Sequence, residues 1–135
     1  MKRLSNWIGK SSENRKLAMD MYKTIMDYIA DLTPRRSERG VLIMSEKRRQ
    51  YYTWGAKAFT LICADDGCYG IQFKVSGLRH CGRVRIYYNR STDYFDIELL
   101  RPIKNEVVYE LSDVDCFQLH NVLHRQIERT DDMEV

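Results

Sequence analysis

Residues 56–100 read AKAFTLICADDGCYGIQFKVSGLRHCGRVRIYYNRSTDYFDIELL, and this stretch decides the fold. Apolar and polar side chains alternate with a period of two in four segments separated by turn-forming residues, a pattern typical of half-buried β-strands. The stretch is therefore predicted to form a four-stranded antiparallel meander. We expect an α+β fold in which an antiparallel sheet of four to six strands, within residues 41–111, packs against an N-terminal and a C-terminal helix.

The first turn sets the register of the first hairpin. A three-residue loop at 65–67 pairs Leu61 with Ile71 and keeps the apolar side chains on one face. A two-residue loop would divide them between the two faces. Three-residue loops place a left-handed residue last, where Gly67 has the lowest steric cost, so the three-residue loop is preferred.

The second hairpin has one register that suits both faces. A loop at 90–93 pairs Tyr88 with Phe95 on the apolar face and Arg85 with Glu98 on the other. Opposite charges at such cross-strand positions contribute roughly 0.2–1 kcal/mol. The two faces therefore predict the same pairing.

Helical periodicity flanks the sheet. Residues 12–32 are predicted to be a helix ended by Pro34, because its apolar residues recur at helical spacing. Residues 113–129 are predicted to be a second helix, since Ser112 to Asp115 resembles a capping box. The remaining segments are predicted to be an N-terminal arm at 1–10, a strand at 41–44, a basic connector at 45–50, an edge strand at 51–54, a last strand at 107–111 and a frayed tail at 130–135.

Bulk composition limits the class of protein. A chain of 135 residues with 44% hydrophobic and 30% charged residues is expected to form one globular domain. No apolar run is long enough to cross a bilayer, and the N-terminus has no apolar signal region, so we expect a cytoplasmic protein without a membrane partner. The four cysteines are accordingly expected to be reduced.

No catalytic motif is evident in the sequence. It contains no glycine-rich phosphate loop, nucleophile elbow or dinucleotide fingerprint. We therefore expect a non-enzymatic binding protein without a cofactor.

Two sets of residues raise a metal hypothesis. His120 and His124 are four residues apart on the predicted helix, and Cys63, Cys68 and the His80-Cys81 pair lie around the first turns. Two histidines without a third nearby ligand are a weak signal, and Cys63 and Cys68 fall on opposite faces in the preferred register. We favour structural roles for both sets and assign no metal site.

The charge is distributed unevenly along the chain. The net charge is +3, yet residues 35–104 carry fourteen basic and seven acidic groups, whereas residues 105–135 carry two and eight. Such asymmetry indicates a charged partner. The main hypothesis is contact with single-stranded nucleic acid through basic loops and the outer face of the sheet, where arginines and aromatic rings occur together. The candidate contact residues are Arg35, Arg36, Arg39, Lys47, Arg48, Arg49, Arg83 and Tyr87.

A second hypothesis is a protein-interaction or inhibitor module that forms a homodimer or binds an acidic partner. The stretch GLRHCGRVRIYYN followed by DYFDIELL resembles, in general appearance, small accessory proteins carried by phage and other mobile elements. The order of a meander, a further strand and a closing helix over residues 56–129 resembles the single-stranded-DNA-binding sheets of the Whirly type. That resemblance is topological and implies the fold alone.

Overall fold

The computed structural model describes residues 12–31 and 35–128. The predicted N-terminal arm at 1–10 and the predicted tail at 130–135 lie outside these residues. The elements in chain order are α1 (Ser12–Ala30), β1 (Arg35–Arg36), β2 (Leu42–Ile43), α2 (Glu46–Thr53), β3 (Lys57–Cys63), β4 (Tyr69–Ser76), β5 (Cys81–Asn89), β6 (Tyr94–Leu100), β7 (Val107–Val114) and α3 (Leu119–Ile127).

The main sheet is a five-stranded antiparallel meander in the order β3-β4-β5-β6-β7. With α1 before it and α3 after it, the α+β prediction is confirmed. The second hairpin has the predicted register, with Tyr88 opposite Phe95 and Arg85 opposite Glu98. The sequence therefore specified this pairing through local alternation alone.

The first hairpin also has the predicted register, with Leu61 opposite Ile71. Gly67 ends its turn at φ +88°, and its N–H donates to the carbonyl of Ala64 at 3.0 Å. Farther along β3 the ladder is interrupted by a bulge between Lys57 and Thr60. Ala58 lies in this bulge at φ +57°, a conformation that non-glycine residues rarely adopt.

The core lies between the helices and one face of the sheet, called here the helix face. Ile25 and Ile29 of α1 and Leu119, Leu123 and Ile127 of α3 are fully buried there. They pack against inward-facing side chains of the central strands, namely Ile71, Phe73, Val84, Ile86, Phe95, Ile97 and Leu99. The opposite side of the sheet is called the outer face.

The segment before β3 is helical rather than extended, so the predicted connector at 45–50 and edge strand at 51–54 are wrong. Ser45 caps α2 by accepting a hydrogen bond from the Arg48 N–H through its side chain at 3.1 Å. Trp54 ends the helix and is fully buried in the core. The cap and the burial of this indole outweigh the β-type composition of residues 51–54.

The strand predicted at 41–44 is present only in part, as β2. It pairs with β1 in a separate two-stranded ribbon and does not join the main sheet. Arg35 and Arg36, expected in a loop, form β1.

Within the described residues, the two helices predicted from the sequence are shorter than expected. α1 is helical to Ala30, and Asp31 follows at φ +50°; the predicted stop at Pro34 lies outside the described residues. β7 continues to Val114, so α3 begins at Leu119 rather than near 113. Asp115 instead accepts hydrogen bonds from the N–H groups of Phe117 and Gln118, both at 2.9 Å, in the turn before α3.

Candidate nucleic-acid interface

Six of the eight candidate contact residues lie in one continuous ribbon–helix unit, residues 35–53, called here the basic arm. The two strands of its ribbon pair Arg35 with Ile43 and Arg36 with Leu42. Gly40, at φ +80°, closes the turn by donating its N–H to the carbonyl of Ser37 at 2.8 Å. The arm carries six basic side chains and only two acidic ones, Glu38 and Glu46.

The cations of the arm differ in exposure. Arg36 and Arg39 on the ribbon and Arg49 on α2 are exposed, whereas Lys47 and Arg48 are half-buried. The guanidinium of Arg36 donates to the carbonyl of Gly40 at 2.9 Å, which holds it along the ribbon. Three exposed guanidinium groups are therefore available on this unit.

An exposed ring accompanies these charges on α2. Tyr52 is 58% exposed and follows Arg49 by three residues, so the two side chains share one face of the helix. Arg49 also lies 4.0 Å from Glu46, but both side chains are mostly exposed, and such a pair contributes little. A cation beside a solvent-facing ring is the local arrangement that single-strand binders use.

Arg83 and Tyr87 do not belong to this surface. Both lie on β5 and face the outer side of the sheet, whereas α2 packs with α1 and α3 on the helix face. Tyr87 is completely buried with Ile62 and Ala64, so its ring is not exposed for base stacking. The structure thus separates the predicted contact residues between two sides of the sheet.

Arg83 is held by the loop at 101–106, which folds over the outer face. Its guanidinium donates to the carbonyl of Arg101 at 3.2 Å, to the carbonyl of Lys104 at 2.8 Å and to the side-chain oxygen of Asn105 at 3.0 Å. Burial is the main cause that lowers the pKa of Arg83, and nearby Arg85 adds to the effect. These hydrogen bonds show that Arg83 anchors the loop to the sheet.

The outer face is not uniformly basic. One cross-strand row runs Gln72, Arg85, Glu98, Glu110 and so changes sign along its length. Arg85 donates to the side-chain oxygen of Gln72 at 2.8 Å. Because its charges alternate in sign, this row is not a continuous platform for a polyanion.

A second row on the outer face was not identified from the sequence. Lys57, Lys74 and Arg83 stand directly opposite one another on three neighbouring strands. Simple alternation would place Lys57 on the helix face with Phe59, and only the bulge brings it opposite Lys74. No sequence pattern signals that bulge.

The two candidate metal-ligating histidines form a stack with Trp54. The His120 and His124 rings are nearly parallel, 10° apart, with centroids at 6.0 Å, and the indole of Trp54 stacks on His120 at 5.2 Å. His124 Nδ1 accepts a hydrogen bond from Trp54 Nε1 at 3.0 Å. His120 Nδ1 donates to the carbonyl of Ile29 at 2.6 Å, and its Nε2 lies 2.8 Å from the side-chain oxygen of Gln50.

This stack joins α1, α2 and α3 around the end of the core. Parallel rings direct their in-plane nitrogen lone pairs side by side rather than toward one point, which is the geometry of packing and hydrogen bonding. Burial, with smaller contributions from Lys47 and His124, lowers the pKa of His120.

The four cysteines have different environments. Cys63 is buried, Cys68 and Cys116 are half-buried and Cys81 is exposed. His80, next to Cys81, donates through Nε2 to the carbonyl of Arg83 at 3.2 Å, and burial lowers its pKa. Within residues 12–31 and 35–128, no three His, Cys, Asp or Glu side chains are grouped so as to hold a metal ion.

No protein-family model, curated protein or solved structure matches this chain. The described part of the chain contains no helix that is long and apolar enough to span a bilayer.

Proposed function

We propose that this protein binds single-stranded nucleic acid through the basic arm. One observation carries the proposal: Arg36, Arg39 and Arg49 are exposed on one ribbon–helix unit together with the exposed ring of Tyr52. Arginines at the surface of such a unit contact phosphates, while the ring offers a stacking surface to a base. The buried Tyr87 and the loop-bound Arg83 are not part of the proposed interface.

The charge on the arm predicts a defined salt dependence. Each phosphate contact to a single strand contributes about −0.7 to the slope of log K against log salt concentration. Three exposed arginines therefore give a slope of about −2. Fluorescence anisotropy of a labelled oligothymidylate, titrated between about 50 and 200 mM salt, measures this slope.

Paired variants test which surface is responsible. Replacing Arg39 and Arg49 by Gln should reduce the magnitude of the slope by about 1.4, since two phosphate contacts are lost. Replacing Arg90 and Arg125 by Gln is the matched control, because both are exposed, lie outside the arm and remove the same charge. An equal loss in the control, or no binding of wild type at low salt, contradicts the proposal.

The ring is tested separately from the charges. Tyr52→Ala should weaken binding by about 1–3 kcal/mol with little change in the salt slope, because stacking is not a counterion effect. Tyr94→Ala is the control, since Tyr94 is also exposed but lies on β6. Unchanged affinity in Tyr52→Ala would remove stacking from the proposal.

A different observation favours self-association as a second candidate function. Val41, Leu42 and Ile43 are consecutive, and each is about half exposed or more, at 63%, 51% and 47%. Contiguous exposed apolar residues mark interaction sites, and the basic middle of the chain complements its acidic end in a second copy. Light scattering at several protein concentrations should show a dimer that Leu42→Ser weakens. A strictly monomeric protein contradicts this candidate.

A further inference from the structure

Three cations face one another across β3, β4 and β5 on the outer face. Lys57 is opposite Lys74, and Lys74 is opposite Arg83. Like charges directly opposite on neighbouring strands destabilise a sheet. The row therefore imposes an unfavourable energy on the folded protein.

Among the described residues, no carboxylate forms an ion pair with Lys57, Lys74 or Arg83. All hydrogen-bond acceptors of the Arg83 guanidinium are neutral, two backbone carbonyls and the amide oxygen of Asn105. Glu106, the acidic residue of the same loop, already pairs with Arg101 at 2.9 Å. Lys57 and Lys74 are exposed, and neither forms an ion pair within residues 12–31 and 35–128.

The backbone is distorted at the point that creates the row. The bulge in β3 shifts the register so that Lys57 moves onto the outer face opposite Lys74. It places Ala58 at φ +57°, a strained conformation for a residue with a side chain. Bulges often re-aim a side chain beside a functional site, and strain persists where the surrounding structure requires it.

A groove lies at the Lys57–Lys74 end of this row. It has a volume of about 240 Å³ and is bounded by the ends of β3, β4 and β5 and by the loop at 101–106. Its polar lining consists of Lys57, Lys74, Ser76 and the thiol of Cys81, and its apolar wall is formed by Val75, Gly82, Pro102 and Ile103. Ile103 is 92% exposed, so the wall offers apolar surface to a ligand. No acidic side chain lines the groove.

We propose that this groove binds a small phosphate-bearing ligand, with the phosphate between Lys57 and Lys74 and the attached organic group against Pro102 and Ile103. A phosphate monoester carries about −1.5 to −2 charges near neutral pH, which matches two ammonium groups better than a carboxylate does. The groove is smaller than the roughly 300–1,000 Å³ of pockets for drug-sized molecules, so it suits one phosphate and one ring. The site lies on the face opposite the basic arm and does not depend on the function proposed for the arm.

Two sources can supply this chemistry: a free nucleotide, or the terminal phosphate of a nucleic-acid strand. The probes are therefore AMP, adenosine, and one short oligonucleotide with and without a 5′-phosphate. Cys81 reports occupancy, because it lines the groove and is the exposed cysteine of the four in the chain. The measurement is the rate at which uncharged iodoacetamide alkylates Cys81, followed by peptide mass spectrometry.

AMP or the 5′-phosphorylated oligonucleotide should slow this alkylation, and adenosine should not. Lys57→Gln and Lys74→Gln should each raise the concentration for half-protection about five-fold, the factor for losing one ion contact at about 4 Å in water. Lys23→Gln is the control, since Lys23 is exposed on α1, on the other side of the sheet. Thermal unfolding of each variant verifies that it is folded.

The outcomes separate the two sources and can reject the site. Protection by AMP alone identifies a free nucleotide, and protection by the phosphorylated oligonucleotide alone identifies a strand end; both support the groove. Three outcomes would overturn the proposal. They are equal protection of Cys81 by adenosine, no protection by either phosphorylated probe at about 10 mM, and unchanged protection in both lysine variants. Arg39→Gln with Arg49→Gln should leave Cys81 protection unchanged, so a failure of the arm proposal remains distinguishable.

Discussion

Neutralising Lys74 should make the folded protein more stable. Its side chain is the centre of the cationic row, with Lys57 opposite on one side and Arg83 opposite on the other. Each like-charged cross-strand pair destabilises the sheet by roughly 0.2–1 kcal/mol. Lys74→Gln removes both pairs and keeps a chain of similar length, so the free energy of unfolding should rise by roughly 0.4–2 kcal/mol.

Urea unfolding of wild type and variant measures this gain. The midpoint should rise without a change in the m-value, because the surface exposed on unfolding is almost the same. The gain should be largest at low ionic strength and shrink at about 1 M salt, where the screening length falls to about 3 Å. Lys23→Gln on α1 lowers the net charge equally and serves as the control for a general charge effect.

A phosphate ligand should stabilise wild type more than Lys74→Gln. At ten times its dissociation constant for wild type, AMP adds about 1.4 kcal/mol to wild type but only about 0.6 kcal/mol to Lys74→Gln, whose dissociation constant is about five-fold higher. A variant that is less stable than wild type at low salt would refute the repulsion argument. A gain of the same size at low and high salt would show that charge is not its cause.

Three further predictions concern the backbone and the buried stack. Gly77→Ala should lower the free energy of unfolding by about 2–4 kcal/mol, because a β-carbon there would lie 2.2 Å from the carbonyl oxygen of Ile127. The control is Gly67→Ala, whose β-carbon would meet no atom within 4 Å, so it should cost only about 1–2 kcal/mol of conformational strain. Urea unfolding measures both changes. Ala58→Gly should stabilise the protein by about 0.5–1 kcal/mol by relieving its positive φ, and a loss of stability would contradict the strain assigned to the bulge. Because burial lowers the pKa of His120, the unfolded chain takes up its proton at higher pH than the folded one, so stability should fall as pH drops below about 6.5. His120→Gln should flatten that decline in unfolding curves recorded from pH 7 to pH 5, and an unchanged decline would exclude His120 as a cause.

Much of the sheet followed from the sequence alone. The pairing of Arg85 with Glu98 and of Leu61 with Ile71 was predicted correctly, because side-chain alternation and turn chemistry are local properties. The basic arm was also visible as charge, although its ribbon and helix were not.

Contacts between distant parts of the chain decided the rest. Residues 51–54 have a β-type composition, yet they form the last turn and the C-cap of α2. The reason is that Trp54 stacks on His120 and donates a hydrogen bond to His124, which lies seventy residues away in the chain. Tyr87 was a plausible stacking ring in the sequence, but packing with Ile62 buries it. Exposure of a side chain depends on what folds over it, and this information is not local.

The groove combines features that were predictable from the sequence with features that depend on the tertiary structure. Alternation in the sequence predicts Lys74 on the outer face, and the hairpin registers bring Arg83 beside it. A bulge then brings Lys57 into the row, and the folded loop at 101–106 supplies the wall. The sequence by itself determined the registers of the two predicted hairpins, because they depend on side-chain alternation and on the residues of the turns. Only the tertiary structure decided that Lys57 joins the cationic row, because one bulged residue reverses the face of the side chains beyond it.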